Sequence, residues 1–233
     1  MRSSIVRLVL VLLLLAPVPA RAGACGASVY VYAASPELAR DGLVVLDAGY
    51  RGSDFAAATL AFVTPTETSP ARVVRTIGDS EGYHVQFVLA PTTTLPARTT
   101  VHLATGDSEL DKMLVDRTLT TSDATDGRAV RWSSAPAVLG HRIVPSNKGD
   151  SLDAYRIRVR LDAPAFAIAT FKIKNETQVA LYPISNGETL VGLVGCSSMW
   201  TFHSGTSVVT LTALGPDGRE VAAPGKGQRL SFR

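Results

Sequence analysis

Between Asp153 and Asp162 the chain reads Asp-Ala-Tyr-Arg-Ile-Arg-Val-Arg-Leu-Asp, so Tyr155, Ile157, Val159 and Leu161 alternate with Arg156, Arg158 and Arg160. Successive side chains of a strand point to opposite faces, whereas a helix would scatter these residues around its axis. Only a strand with one buried and one wet face accommodates the pattern, and such strands belong to antiparallel sheets. Tyr83 to Leu89 repeats the alternation, with Tyr83, Val85, Phe87 and Leu89 predicted to point inward.

Short apolar segments of this kind recur along the chain, separated by Gly, Pro, Asp, Asn and Ser. Further strands are predicted at 28–32, 43–46, 57–63, 72–77, 99–104, 117–121, 165–173, 179–182, 189–194 and 207–214. Ser185-Asn186-Gly187 and Pro216-Asp217-Gly218 carry the dipeptides that tight reversals require. One short helix is predicted, over Ser108–Val115. The expected architecture is all-β, with two antiparallel β-sandwich domains in tandem. Residues 120–127 are small and polar and can bury little surface. They place a linker at 123–131, between a first domain at 23–122 and a second at 132–233.

Several segments together resemble bacterial Ig-like and fibronectin type III-like tandem domains. They are Ser35-Pro36-Glu37, the run Leu95 to Leu103, the Thr-rich stretch Leu119 to Asp126, and Gly205 to Gly218, in which a Gly-Thr turn feeds a long strand closed by Asp-Gly. The resemblance implies adhesion, spacing, ligand binding or an accessory role to an enzyme, and it carries over no catalytic residues.

The amino terminus names a compartment. Arg2 and Arg7 precede the apolar run Leu8–Ala16, then Pro17, Pro19 and Ala20-Arg21-Ala22, which together form a secretory signal peptide over residues 1–22 with an Ala-x-Ala cleavage site. The run is too short to span a bilayer, which takes about 20 residues. The expectation is an exported protein, periplasmic, cell-surface or extracellular, and not an integral membrane protein. Removing Arg2, Arg7 and Arg21 from the 23 Lys and Arg leaves 20, which matches the 20 Asp and Glu. A neutral mature chain gives no general attraction to nucleic acid or anionic membranes.

Two cysteines, Cys25 and Cys196, most simply form one disulfide in an oxidising compartment. The alternative is acylation of Cys25, although Ala22-Gly23-Ala24 lacks the Leu or Val expected three positions before a lipidated cysteine. Sandwich termini usually lie at opposite ends of a domain. The bond therefore requires either domains folded back side by side or an N-terminal arm running along the second domain. The loop it closes, about 170 residues, corresponds to roughly 5 kcal/mol in the chain-entropy description.

No Gly-x-Ser-x-Gly, His-Glu-x-x-His, Cys-x-x-Cys or Walker motif occurs, and no cofactor is expected. His84 and His102 would face each other only if their strands pair. The acidic groups Asp107, Glu109 and Asp111, and Asp123 and Asp126, match no complete calcium loop. The Arg156/Arg158/Arg160 row is either a forked-donor surface for an anionic polymer or an exposed face paired with cross-strand acids. Trp200, with Met199 and Phe202, is either a sugar-stacking platform or core near Cys196, and His203 lies beside it. The function expected is exported, non-enzymatic binding or scaffolding in the bacterial envelope, with an envelope protein or a glycan as partner. The alternative is a carbohydrate-active accessory module, or a hydrolase whose site is assembled from distant loops.

Overall fold

A computed structural model describes residues 29–49, 51–78, 85–115, 117–125, 129–144, 152–174, 176–194 and 205–232. The described residues are nearly all β, in several largely antiparallel sheets. Two short helices interrupt them: α1 (Gly52–Ala57), which the sequence reading placed partly in a strand, and α2 (Ser108–Asp111). The predicted helix at 108–115 stops early. Asp107 caps its start by accepting from the N–H groups of Glu109 and Leu110, but Leu114 and Val115 leave the helix to pair with the first strand.

The first half contains β1 (Val29–Ala33), β2 (Val44–Gly49), β3 (Ala61–Val63), β4 (Thr68–Gly78), β5 (Val85–Pro91), β6 (Thr100–Ala104), β7 (Leu114–Val115) and β8 (Thr118–Thr120). They run in the order β7-β1-β2-β5-β4-β3-β6-β8. The long strand β4 belongs to two layers, pairing with β3 through Thr68–Pro70 and with β5 through Ala71–Gly78. Val44, Leu46, Phe87 and Leu89 on one layer meet Phe62, Val101 and Leu103 on the other.

The second half contains β9 (Ala137–Val144), β10 (Leu152–Arg158), β11 (Phe166–Ile173), β12 (Glu176–Pro183), β13 (Glu188–Val194), β14 (Gly205–Leu214), β15 (Glu220–Ala222) and β16 (Gln228–Phe232). One sheet has the order β13-β10-β9. The other has the order β12-β11-β14-β15, with β16 also on β14. The predicted Asn-Gly reversal joins β12 to β13. Asn186 and Gly187 have φ of 52° and 73°, the positive pair that a tight two-residue hairpin needs.

Along β10 and the residues that follow it, Ile157 and Val159 are buried and Arg156, Arg158 and Arg160 are exposed, as the alternation predicts, whereas Tyr155 and Leu161 of the predicted inward face are half-buried. Strand β5 departs from its predicted half-buried character. Val85 through Ala90 are all buried, and the alternating residues serve two cores. Val85, Phe87 and Leu89 pack inside the first half, whereas Val88 and Ala90, with Leu43, Val45 and Ile77, join a cluster with Ile157, Phe166, Leu181 and Leu211 of the second half. The two halves thus share a core through a sheet covered on both faces. A continuous apolar run is the sequence signature of such a sheet.

Candidate functional site

Antiparallel pairing sets Tyr30 opposite Asp47, Asp47 opposite Gln86 and Gln86 opposite Ile77, a row across β1, β2, β5 and β4 on the face toward the second half. Tyr32 stands in the next row, opposite Val45. Gln86, 2% exposed, and Asp47, 4% exposed, would be costly to bury without partners. The Gln86 amide nitrogen lies 3.0 Å from Asp47 Oδ2, 3.0 Å from the Leu181 carbonyl oxygen and 3.2 Å from the Tyr32 hydroxyl, while its oxygen accepts from Leu181 N–H at 2.8 Å. The edge of β12 is therefore completed by a side-chain amide rather than by another strand.

Two more strand edges are closed the same way. Tyr182 Oη donates to the Gly192 carbonyl at 3.0 Å and accepts from its N–H at 3.3 Å, and Tyr155 Oη treats Ser231 likewise at 2.9 and 3.1 Å. This use requires neutral phenols. Burial, followed by the charge of Asp47, pushes the Tyr32 hydroxyl well above the usual tyrosine range, and burial does the same at Tyr182. Gly192 is required here. Its φ is 138°, and a Cβ would stand 2.4 Å from the Asp153 carbonyl oxygen.

Where the halves meet near this row, a cavity of about 770 Å³ opens. Tyr30, Tyr32, Asp47 and Gln86 line it from the first half, and Arg142, Arg156, Glu188 and Leu190 from the second. Arg156 Nε lies 3.3 Å from Glu188 Oε2. His141 at the rim stacks on Tyr155 with ring centroids 4.2 Å apart, and its Nε2 is 2.6 Å from Asp153 Oδ1. Across the same interface Tyr32 meets Phe166 edge-on at 6.1 Å, and Arg75 pairs with Glu220.

The predicted arginine row divides between two cavities. Arg156 enters the one just described, whereas Arg158 and Arg160 line a second of about 900 Å³ with Ser35, Asp162 and Asn186. The pairing of Arg156 with Glu188 is the cross-strand alternative of the sequence reading. Trp200, His203, Cys25 and Cys196 lie outside the described residues, as does His84. His102 stands on β6, opposite Val63 of β3 and Thr118 of β8. Asp111 accepts from the N–H and hydroxyl of Thr105, and Asp123 pairs with Arg98, so both serve local structure. Among the described residues no three His, Cys, Asp or Glu gather as a metal site. No described helix is long and apolar enough to cross a membrane.

The sequence reading missed Tyr30, Tyr32, Asp47 and Gln86. Their signal was present: Asp47 follows Leu43-Val44-Val45-Leu46, and Gln86 stands within Val85-Gln86-Phe87-Val88, each a lone polar residue in an apolar run.

No protein-family model matches the sequence, and no curated protein is similar to it. Among solved structures, the chain is similar to the type I pullulanase of Bacillus subtilis str. 168 complexed with maltose, at 7% identity and a TM-score of 0.26, over 84% of this chain and 24% of that one. It is also similar to a tetra-tandem repeat in the extending region of a large adhesion protein, at 13% identity and TM-score 0.28, over 88% of this chain and 49% of that one. A third is the FN1-FN3 segment of chicken CNTN1, at 14% identity and TM-score 0.21, over 88% and 65%. This chain spans less than two thirds of each of these proteins, which include fibronectin type III and tandem-repeat adhesion domains.

Proposed function

We propose that the chain is an exported, non-enzymatic binding module of the bacterial cell envelope, made of a first domain at 23–122 and a second at 132–233, and that it takes its ligand in the cavity between them. The observation that supports this reading is the lining of that cavity. Tyrosine faces and Leu190 offer apolar contact, while Asp47, Arg156 and Glu188 offer charged hydrogen-bonding groups, the mixture by which a pocket both holds and orients a ligand. A site shared between two bodies with a common core is also fixed in shape, which reduces the ordering cost of binding.

The lining also favours a second reading, a carbohydrate-binding accessory role. Tyrosine rings beside carboxylate and guanidinium groups suit a sugar's apolar face and its hydroxyls. The test is capture from an envelope extract, followed by calorimetry with neutral and anionic oligosaccharides on the wild type, Tyr30→Ala and Arg156→Ala. Binding that both substitutions weaken supports the cavity as the site. Binding unaffected by either overturns it, and turnover of a bound ligand would replace the binding reading with the hydrolase.

A further inference from the structure

Among the described residues, the second half leaves the long edge of β9 without a neighbouring strand. Other described edges are short, as in β7, β8 and β15, are met at single residues by Gln86, Tyr182 and Tyr155, or, along Arg72–Gly78 of β4, have a strand on one side only. Strand β9 has eight residues and, among the described residues, pairs with β10 alone. Its register settles which groups are free. Gly192 turns its N–H and C=O to Tyr182 rather than to Ala154, so Ala154 exchanges its backbone hydrogen bonds with Arg142 on its other side. Antiparallel ladders alternate, which leaves the N–H and C=O of His141 and Ile143 pointing to the open edge.

The two faces of this edge differ in character. A bulge between Arg156 and Ile157 brings Val138, His141 and Ile143 onto the face of Ile157, Tyr155 and Asp153, where Val138 is 38% and Ile143 42% exposed. On the other face stand Arg142, Gly140 and, behind Gly140, Arg156. A Cβ added at Gly140 would meet nothing within 4 Å, so a side chain from a neighbouring strand has a clear path over Gly140 to the Arg156 guanidinium, where an acid would compete with Glu188. Gly140, Arg142 and Arg156 are also cavity-lining residues, which makes the edge and the cavity continuous.

We propose that β9 binds an extended acidic segment of a partner protein as an added antiparallel strand, with acidic side chains entering the cavity over Gly140 toward Arg156 and apolar ones covering Val138 and Ile143. This rests on the cavity being the binding site and names its occupant. A second copy of the chain is the poorer occupant, because edge-to-edge pairing would bring the Arg142 and Arg156 faces of both copies together, and like charges across strands repel. The partner's backbone supplies affinity and its alternating side chains supply selection.

The test uses the mature full chain and an eight-residue peptide alternating Glu and Val, beside a Lys/Val peptide and a Glu/Val peptide N-methylated at alternate residues. The Glu/Val peptide is expected to bind and to slow hydrogen exchange at His141 and Ile143. N-methylation, which removes peptide donors and leaves the protein untouched, should weaken it about tenfold or more, the value of one or two net hydrogen bonds. Arg156→Gln should weaken the Glu/Val peptide and flatten its salt dependence. Equal binding of all three peptides overturns the proposal. So does a concentration-dependent dimer, seen in sedimentation, that protects the same amides without peptide. If oligosaccharides bind and Tyr30→Ala weakens that binding while no peptide binds, the strand proposal fails and the cavity reading stands. If no oligosaccharide, peptide or extract component binds, both fail.

Discussion

Gln86 and Leu181, 95 residues apart, exchange the two hydrogen bonds that adjacent strands exchange: the side-chain amide donates to the Leu181 carbonyl and accepts from its N–H. One glutamine side chain stands in for a peptide group, and through it the first half terminates a sheet of the second. Gln86→Ala leaves a buried N–H, a buried C=O and part of the Asp47 shell without partners, so urea unfolding should show a loss of about 2–5 kcal/mol. A loss below about 1 kcal/mol would mean that water replaces the amide and that the two halves do not depend on it.

Ile157 is fully buried and Arg158, its neighbour, is exposed. Ile157→Ala should cost about 2–5 kcal/mol as a cavity-forming change. Arg158→Ala should stay within about 0.5 kcal/mol. Similar losses for both would refute the register of β10.

Tyr182 and Tyr155 make matching bonds in different surroundings, since Gly192 is buried and the Ser231 contact is exposed. Tyr182→Phe strands both Gly192 groups away from water and should cost about 1–3 kcal/mol. Tyr155→Phe lets water take over at Ser231 and should cost clearly less. Thermal unfolding of the two variants gives the comparison, and equal costs would contradict the assignment.

Alkaline titration should find Tyr32 and Tyr182 resistant. Their folded pKa values are raised above the unfolded value of about 10, so each contributes stability that is fully present below that pH and is lost as pH rises toward the folded value. Absorbance at the phenolate band should show these two among the six tyrosines ionising only with unfolding, as followed by circular dichroism. A full six-tyrosine signal before any unfolding would show that water reaches them.

Intact-mass analysis of exported protein should give Gly23 as the first residue, and non-reducing peptide mapping should join Cys25 to Cys196. Tyr30, five residues after Cys25, and Leu190, six before Cys196, line one cavity, and five residues reach at most about 17 Å. A diacylglyceryl adduct on Cys25, or two free thiols in protein recovered from an oxidising compartment, would rule out the bond.

Strands that alternate over a long run were legible, because alternation marks them directly: β10 is the clear instance, and one of its arginines, Arg156, pairs with an acid of the neighbouring strand, Glu188. Strand β9 carries no legible period because Gly140 and a bulge interrupt it. Burial of β5 on both faces was written in Val85 to Ala90, yet alternation within that run invites a half-buried reading. The cavity was the least legible feature. Tyr30, Asp47 and Gln86 become neighbours only through pairing among β1, β2 and β5, and Arg156 joins them only when the halves close.

A sheet covered on both faces also orders events in time. The ribosome finishes the first half before the second exists, and until then Leu43, Val45, Ile77, Val88 and Ala90 have no cover. That surface is apolar, and in the folded chain its cover comes from Ile157, Phe166, Leu181 and Leu211 of the later half. Length, in this molecule, is a waiting period during which the unfinished polypeptide must be kept from its siblings.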